Sequence, residues 1–491
     1  MTDLASVLGP NPVPQTQPAT SDQSRAEAVE GRLQTAQESK WLSRPRVLWA
    51  WALGFSFLLS IFAIFNGGYI GGDYNTHLAR ILNPNRFFDF SMGDPPIYDL
   101  IGHGLFRLIG KNNGFIITYS IIELVVNTVA LWWFFLYTER RFRSPILHLA
   151  FVLFVTFLPA RLIHVVAIGT DWMTIPVFVL LLFRFDKFLS EETSTLKNAA
   201  LLGLVLTLGI WSKYNFMAFP PALFIIFLFL WWNRRWPLKR FVAICALSLV
   251  APSALVLHDF WQSTRVPDAA AKTIWIPKGG APSQPEYTYR DLLLLKKRDI
   301  ELFSAPEFYI RKASDPYTFG FREAHRHSFL ALEHMGVFTD THNHFQELPG
   351  AQSIDRFLIP DYKVRRSGKT EIMVASMTLG TIWTLLALIG TPWILFGAVR
   401  HLWKDKLEHE DVALLLGTAF FLLMFLLIPF LYWSALTGSW QSRLYMISLL
   451  CFFLAGFLLL DRTVVAKWPK LAFDVLTLVI VQCGITVLMA A

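Results

Sequence analysis

Residues 412–431 read VALLLGTAFFLLMFLLIPFL, twenty positions without a charged side chain. About 20 apolar residues in helical form cross the hydrocarbon core of a bilayer. Inside that core only helices and closed barrels satisfy every backbone N–H and C=O. An unbroken apolar run of this length, with no alternation, selects the helix. Working outward, similar runs recur at 47–66, 115–137, 145–160, 172–186, 199–216, 219–233, 241–258, 372–399, 444–460 and 471–490, which makes eleven expected spans. Composition agrees: the 491 residues are 54% hydrophobic and 16% charged, with a mean hydropathy of +0.44. A soluble domain carries about 25% charged residues, so this chain lacks the polar groups to cover an aqueous surface. The expected fold class is an all-α polytopic membrane protein, with membrane lipids as its surroundings.

The spans divide the chain. Residues 1–44, rich in Pro, Gln, Ser, Thr and Ala, are expected to be a disordered cytoplasmic tail with no signal peptide ahead of the first span. Residues 45–258 form an N-terminal transmembrane core, 259–371 a large polar extracytoplasmic loop region, and 372–491 a C-terminal set of helices. Orientation follows from the short loops. With the N-terminus inside, loops 139–144, 184–197, 233–240, 400–411 and 461–470 hold 16 Lys and Arg in 50 positions. Loops 67–113, 158–171, 213–222 and 432–443 hold 7 in 83. This excess places the first set in the cytoplasm and the second outside the membrane. The net charge of +8 is thereby a property of the cytoplasmic loops, and no nucleic-acid partner is expected. In the first outside loop, Ile97, Leu100, Ile101, Leu105, Leu108 and Ile109 recur at helical spacing behind Pro95 and Pro96, with Asp99, His103 and Arg107 on other faces. That pattern predicts an amphipathic helix along the membrane surface.

Ionisable groups at membrane depth are expensive and are functional candidates by default. Asp73 follows the first span, behind Gly67, Gly68, Gly71 and Gly72; Asp171 opens the fourth, with Arg161 and His164 before it; Lys213 closes the fifth; Arg443 and Tyr445 open the tenth. All fall at outer span ends although they come from distant parts of the chain. Together they predict an outward polar cavity, in which a carboxylate serves as general base for a hydroxyl and cations stabilise charge on a departing phosphate. The plainer alternative is that each marks where a helix meets water, since interfacial Lys and Arg snorkel and Asp171 suits a helix N-terminus.

Other signals narrow the choice by their absence. No GxxxxGK[ST] occurs, and no GxGxxG follows a strand, so nothing points to an ATP-driven pump or a soluble nucleotide-sugar enzyme. Cys245, Cys451 and Cys483 lie in apolar runs and suggest neither a disulfide framework nor a CxxC site. His325, His327, His334, His342 and His344 gather in the large loop without the spacing of a known zinc site.

Five stretches in order resemble the GT-C type, polyprenyl-phosphate-dependent membrane glycosyltransferases, in particular the group around glycosyltransferase family 39. GGDYNTHLARIL (71–82) is similar to the acidic motif after the first span, and DPPIYDLIGHGLFRLIG (94–110) to the surface helix. IGTDWMTIPVFVLLLFRF (168–185), LTLGIWSKYNFMAFPPALF (206–224) and SWQSRLYMISLL (439–450) match three later segments. Tyr74 stands where the family's first motif carries a second acidic residue, and the late motif reads Arg-Leu-Tyr instead of Arg-Tyr. The resemblance implies a GT-C-like bundle of about eleven helices with extracytoplasmic loops, in an inner or plasma membrane. It implies inverting transfer of a sugar from a polyprenyl-phosphate-linked donor to a hydroxyl of a glycan, lipid or protein acceptor. By the same resemblance Asp73 is the catalytic base, and Asp171 and His77 position the acceptor or a cation. Lys213, Arg443, Arg161 and Tyr445 then bind the donor phosphate. No cofactor is assigned; a divalent cation stays open. Two other classes remain: a transporter or flippase for a lipid-linked or amphipathic substrate, and a catalytically inert scaffold, for which Tyr74 speaks.

Overall fold

The computed structural model describes residues 46–65, 74–83, 96–110, 113–190, 195–265, 294–295, 328–338, 369–431 and 445–490. The tail 1–44, Asp73, Arg443, most of 259–371 and four of the five loop histidines lie outside these residues. Among the described residues there are helices and turns and no strand. Helix α1 is Arg46–Phe65, α2 Tyr74–Leu82, α3 Ile97–Ile109, α4 Asn113–Glu139, α5 Pro145–Thr156 and α6 Pro159–Val166. A 3-10 turn, Thr170–Met173, leads into α7, Thr174–Ser190; α8 is Thr195–Ser212, α9 Phe219–Arg234 and α10 Leu238–Arg265. The second half contains α11 Phe329–Phe338, α12 Lys369–Trp403, α13 His409–Leu431, α14 Met446–Leu459 with a π turn Leu460–Val465, and α15 Leu471–Ala490.

Eight helices among the described residues are long and apolar enough to cross a membrane, and they coincide with eight of the eleven expected spans. The other three stretches are also helical but differ in form. Residues 172–186 fall in the end of the 3-10 turn and the 17-residue α7, and 412–431 in α13. The stretch 145–160 is divided: α5 stops after 12 residues, Phe157 and Leu158 turn the chain, and Pro159 opens α6. Proline suits a first helical turn because it needs no N–H partner there.

Residues Trp49–Ala491 form one compact unit. Without a hydrophobic drive between helices in lipid, tight packing relies on small residues that let backbones approach. A Cβ on Gly203 would come within 2.3 Å of the Leu247 carbonyl oxygen, bringing α8 and α10 together. One on Gly390 would lie 2.7 Å from the Gly456 backbone, joining α12 and α14. Phe154 of α5 interlocks with Trp383, Phe453 and Phe457 of the second half.

The five basic loops converge on one end of the bundle. Arg141 pairs with Glu408 and Glu410, Arg462 with Glu410, and Arg234 with Asp405 at 2.9 Å. Asp461 accepts the backbone N–H groups of Arg143 at 2.8 Å and Ser144 at 2.9 Å, which satisfies donors at the start of α5. Arg240 donates to Thr195 and Asn198 to the Lys187 carbonyl. Helices α4, α7, α8 and α9 each run from this end to the opposite one, where the candidate residues collect.

The surface helix departs from its sequence reading. α3 is helical over the expected residues, yet Asp99 is buried together with Tyr98 and Gly102, while Leu100, Ile101 and Leu108 are exposed. In a membrane the exposed face meets lipid, so the polar side of α3 turns inward. The large loop also contains more than polar chain: α11 is apolar and packs on α12, where a Cβ on Gly380 would fall 2.4 Å from the Phe338 ring.

Candidate functional site

The opposite end from the basic loops is built on two ion pairs and a ring of aromatic side chains. Residues 168–174 tighten into a 3-10 turn because the Gly169 backbone is extended and its N–H is taken, at 3.1 Å, by the Tyr98 hydroxyl. That turn presents Asp171 to Lys213, which sits at the end of α8 where its own N–H still bonds the Gly209 carbonyl. The ammonium pairs with the Asp171 carboxylate and donates to the Thr170 hydroxyl at 3.3 Å. Both charged side chains are about nine-tenths buried, at 10% and 9% exposure. A salt bridge at such a depth survives only with close geometry and additional hydrogen bonds, and Thr170 supplies one.

His77 belongs to a second cluster. On α2, His77 and Arg80 stand three residues apart and share a face. Both reach Asp99 of α3: His77 Nδ1 donates to one carboxylate oxygen at 2.9 Å, and Arg80 Nε lies 3.0 Å from the other. All three side chains are buried. The two clusters meet through Tyr98. Its ring packs edge-on to His77 with centroids 4.9 Å apart and stacks on Tyr119 at 5.1 Å, while its hydroxyl holds Gly169, two residues before Asp171. Burial raises the Tyr98 phenol well above its ordinary value, and the charge of Glu123 adds to the rise. Tyr98 therefore remains a hydroxyl at neutral pH, able to accept from Gly169 and donate elsewhere.

Arg161 completes the site from α6. One guanidinium nitrogen donates to the Ser56 hydroxyl at 2.6 Å and to the Thr156 carbonyl at 2.8 Å. Thr156 ends α5, so the break between α5 and α6 leaves a carbonyl for Arg161 to cap. Arg161 and Asp171 line one small cavity with Asn127, Trp172 and Met446. Ser56 stands halfway along α1 and Asn127 halfway along α4, which places Arg161 deeper in the bundle than the helix-end position expected from sequence.

Asp171, Lys213, Arg161 and His77 are thus brought to one region. Tyr445 is buried against Phe329 and Phe421 and lines an apolar cavity, while its neighbour Met446 lines the cavity of Arg161 and Asp171. Asp73 and Arg443 lie outside the described residues, as does the glycine run before Asp73; Tyr74, which follows Asp73, begins α2. Of the loop histidines, His334 is described and is buried. Its Nε2–H donates to the Met377 carbonyl at 3.2 Å, so its Nδ1 accepts from Thr384 at 2.9 Å. Among the described residues no three His, Cys, Asp or Glu groups converge as metal ligands.

Sequence reasoning missed Arg80, Asp99 and Glu123. Asp99 was indistinguishable from a solvent-facing position of an amphipathic helix. Glu123 carried a signal: it is the acid within the apolar run 115–137, which is where an ionisable group is most expensive. In the structure it is fully buried, facing Tyr98 and Trp172. One turn along α4, Asn127 donates to the Trp172 carbonyl at 3.2 Å.

Comparison with protein-family models, curated proteins and solved structures finds no match.

Proposed function

We propose that this chain is an inverting glycosyltransferase that moves a sugar from a polyprenyl-phosphate carrier to an acceptor hydroxyl on the extracytoplasmic face of an inner or plasma membrane. The observation that carries this reading is the convergence of Asp171, Lys213, Arg161 and the His77–Asp99–Arg80 cluster at the end of the bundle away from the basic loops. In the reaction the acceptor oxygen attacks the anomeric carbon and the bond to the carrier phosphate breaks on the opposite face. Asp73 takes the hydroxyl proton, and the carrier leaves as a phosphate monoester. Lys213, Arg161 and Arg443 stabilise the charge appearing on that phosphate, where scarce water strengthens each electrostatic interaction. Asp171 and Thr170 fix the Lys213 ammonium ahead of binding, which lowers the cost of orienting it. Asp73 immediately precedes α2, so the His77–Asp99–Arg80 cluster anchors the element that carries the base. A divalent cation near Asp73 remains compatible with this scheme.

Mass spectrometry of glycolipids, glycans and glycoproteins from cells with and without the protein tests the reading and identifies sugar and acceptor. Asp73→Asn should abolish the added sugar while expression and membrane insertion persist. A fully active Asp73→Asn protein removes Asp73 from the base role, and unchanged glycoconjugates on deletion remove the transferase.

One observation favours a second reading. The interrupted α5–α6 pair, with Arg161 on the last carbonyl of α5, is the kind of broken helix that transporters place at a substrate site. Movement of a lipid-linked substrate across vesicles without a new glycosidic bond would select that alternative.

A further inference from the structure

The apolar cavity beside Tyr445 has a composition that the sugar-transfer site does not explain. It encloses about 410 Å³ between α11, α12, α13 and α14, within the range of small-molecule sites. Its walls are hydrocarbon, supplied by residues such as Leu330, Ala387 and Phe452. Its edge includes Leu388 and Leu422, exposed at 47% and 53% on helices α12 and α13. α12 has the length and composition of a span, and the sequence of α13 is equally apolar. In a membrane the mouth of the cavity therefore opens to acyl chains, and what enters comes from the lipid phase.

Three polar groups nevertheless point to a ligand. Both carboxyl oxygens of Glu333 on α11 are buried with no hydrogen-bond partner among the described residues, in a side chain only 4% exposed. The hydroxyls of Thr391 on α12 and Thr418 on α13 are also buried without one. A helical threonine ordinarily donates to the carbonyl four residues back. Thr378, Thr381, Thr463, Thr477 and Thr486 all do so here. Thr391 and Thr418 do not, and both line the same cavity as Glu333. A buried polar group left unsatisfied is costly, and three from three helices around one apolar space form a polar patch inside a greasy pocket. Among the described residues that line the cavity there is no Lys or Arg, so a phosphate head would meet a carboxyl and no counter-charge from them.

We infer that this cavity binds a single-chain lipid whose polar end is a hydroxyl or an amine, with the chain among Leu330, Ala387 and Phe452 and the O–H or N–H donating to Glu333. The inference does not depend on the glycosyltransferase reading. Thr391 and Thr418 accept or donate as the head requires. A hydroxyl is read by hydrogen bonding alone; an amine adds charge pairing with the carboxylate.

The test uses the full-length protein in lipid nanodiscs and hexadecan-1-ol carrying a diazirine in its chain, with the matching hexadecylamine and hexadecyl phosphate as comparisons. After irradiation, the alcohol and the amine should label peptides that contain residues 329–338 and 384–392, saturably and in competition with unlabelled hexadecanol. The phosphate should label them about tenfold less, the scale of one unsatisfied buried polar contact. Glu333→Leu should lower labelling by the alcohol about tenfold. Glu333→Gln should retain the alcohol and lose the advantage of the amine. Equal labelling by all three heads in the unaltered protein, labelling elsewhere in the chain, or indifference to Glu333→Leu overturns the inference. The head-group series needs no variant, so a misfolded mutant leaves the comparison intact. Because Asp73→Asn should not affect labelling, failure here and failure of the transferase reading are separable.

Discussion

The pairing of Lys213 with Asp171 shows why a charge is tolerated where burial alone would forbid it. Each partner is nearly buried, so removing one leaves the other without a counter-charge in low dielectric. Lys213→Ala should destabilise the protein by about 3–5 kcal/mol, the usual cost of orphaning a buried charge, read as a lowered melting temperature in detergent. The double replacement Lys213→Met with Asp171→Leu should restore most of that stability, because an apolar pair of similar volume replaces the ion pair. It should not restore the proposed transfer, in which the ammonium meets the carrier phosphate. Recovery of both properties together would make the pair purely structural. Asp99 makes a related case. Asp99→Asn keeps the shape but removes the negative charge and leaves one acceptor oxygen where His77 and Arg80 each have one. Turnover should fall by about 100-fold, the scale of a misplaced catalytic element, with a larger effect on kcat than on KM in a transfer assay.

At the scale of elements, α3 depends on a contact that only glycine permits. A Cβ on Gly102 would lie 2.8 Å from the Ile81 Cδ1 and 2.9 Å from the Tyr119 ring. Gly102→Val should push α3 away from α2 and α4, costing about 1–3 kcal/mol as overpacking does, and should lower transfer by separating Asp99 from His77. Thermal unfolding and the transfer assay should therefore decline together. α5 is secured differently, by a carboxylate from the other half of the chain. Asp461 accepts two backbone N–H groups at the start of α5, where the helix dipole also favours negative charge. Asp461→Ala should cost about 1–3 kcal/mol in thermal unfolding and leave the chemistry at the far end unaltered in kcat. A loss of kcat without loss of stability would contradict that purely architectural role.

For the whole molecule, the two ends of the bundle differ in charge and in partners. One carries the Arg141, Arg234 and Arg462 ion pairs, the other the buried clusters around Asp99 and Asp171. The positive-inside rule predicts that the first end faces the cytoplasm. Cysteines placed at Lys197 and Lys404 should resist a membrane-impermeant thiol reagent in intact cells and react after lysis, whereas one at the exposed Arg107 should react from outside. The opposite pattern would invert the orientation and move the proposed reaction into the cytoplasm.

Span positions were legible in the sequence because they depend on local composition: twenty apolar residues must be helical in a bilayer wherever their neighbours go. The eight spanning helices, the five basic loops and the candidacy of Asp171, Lys213 and Arg161 all follow from that local rule, whereas His77 became a candidate through the family resemblance. What the linear order could not supply was which helix faces meet. Asp99 looked solvent-facing because amphipathicity says which residues share a face, not whether that face looks to water, lipid or another helix. Glu123 was visible as a mid-span acid, but its place behind Tyr98 required the packing of α3 on α4. Tyr445 shares a motif with Arg443, yet its ring joins Phe329 and Phe421, more than a hundred residues away in the case of Phe329. The cavity with Glu333, Thr391 and Thr418 exists only where four helices come together. Local hydrophobicity determined the helices and their home in the membrane. Tertiary contact decided which scarce polar groups became partners, because a buried charge or hydroxyl is stabilised by what lies opposite it and not by its sequence neighbours.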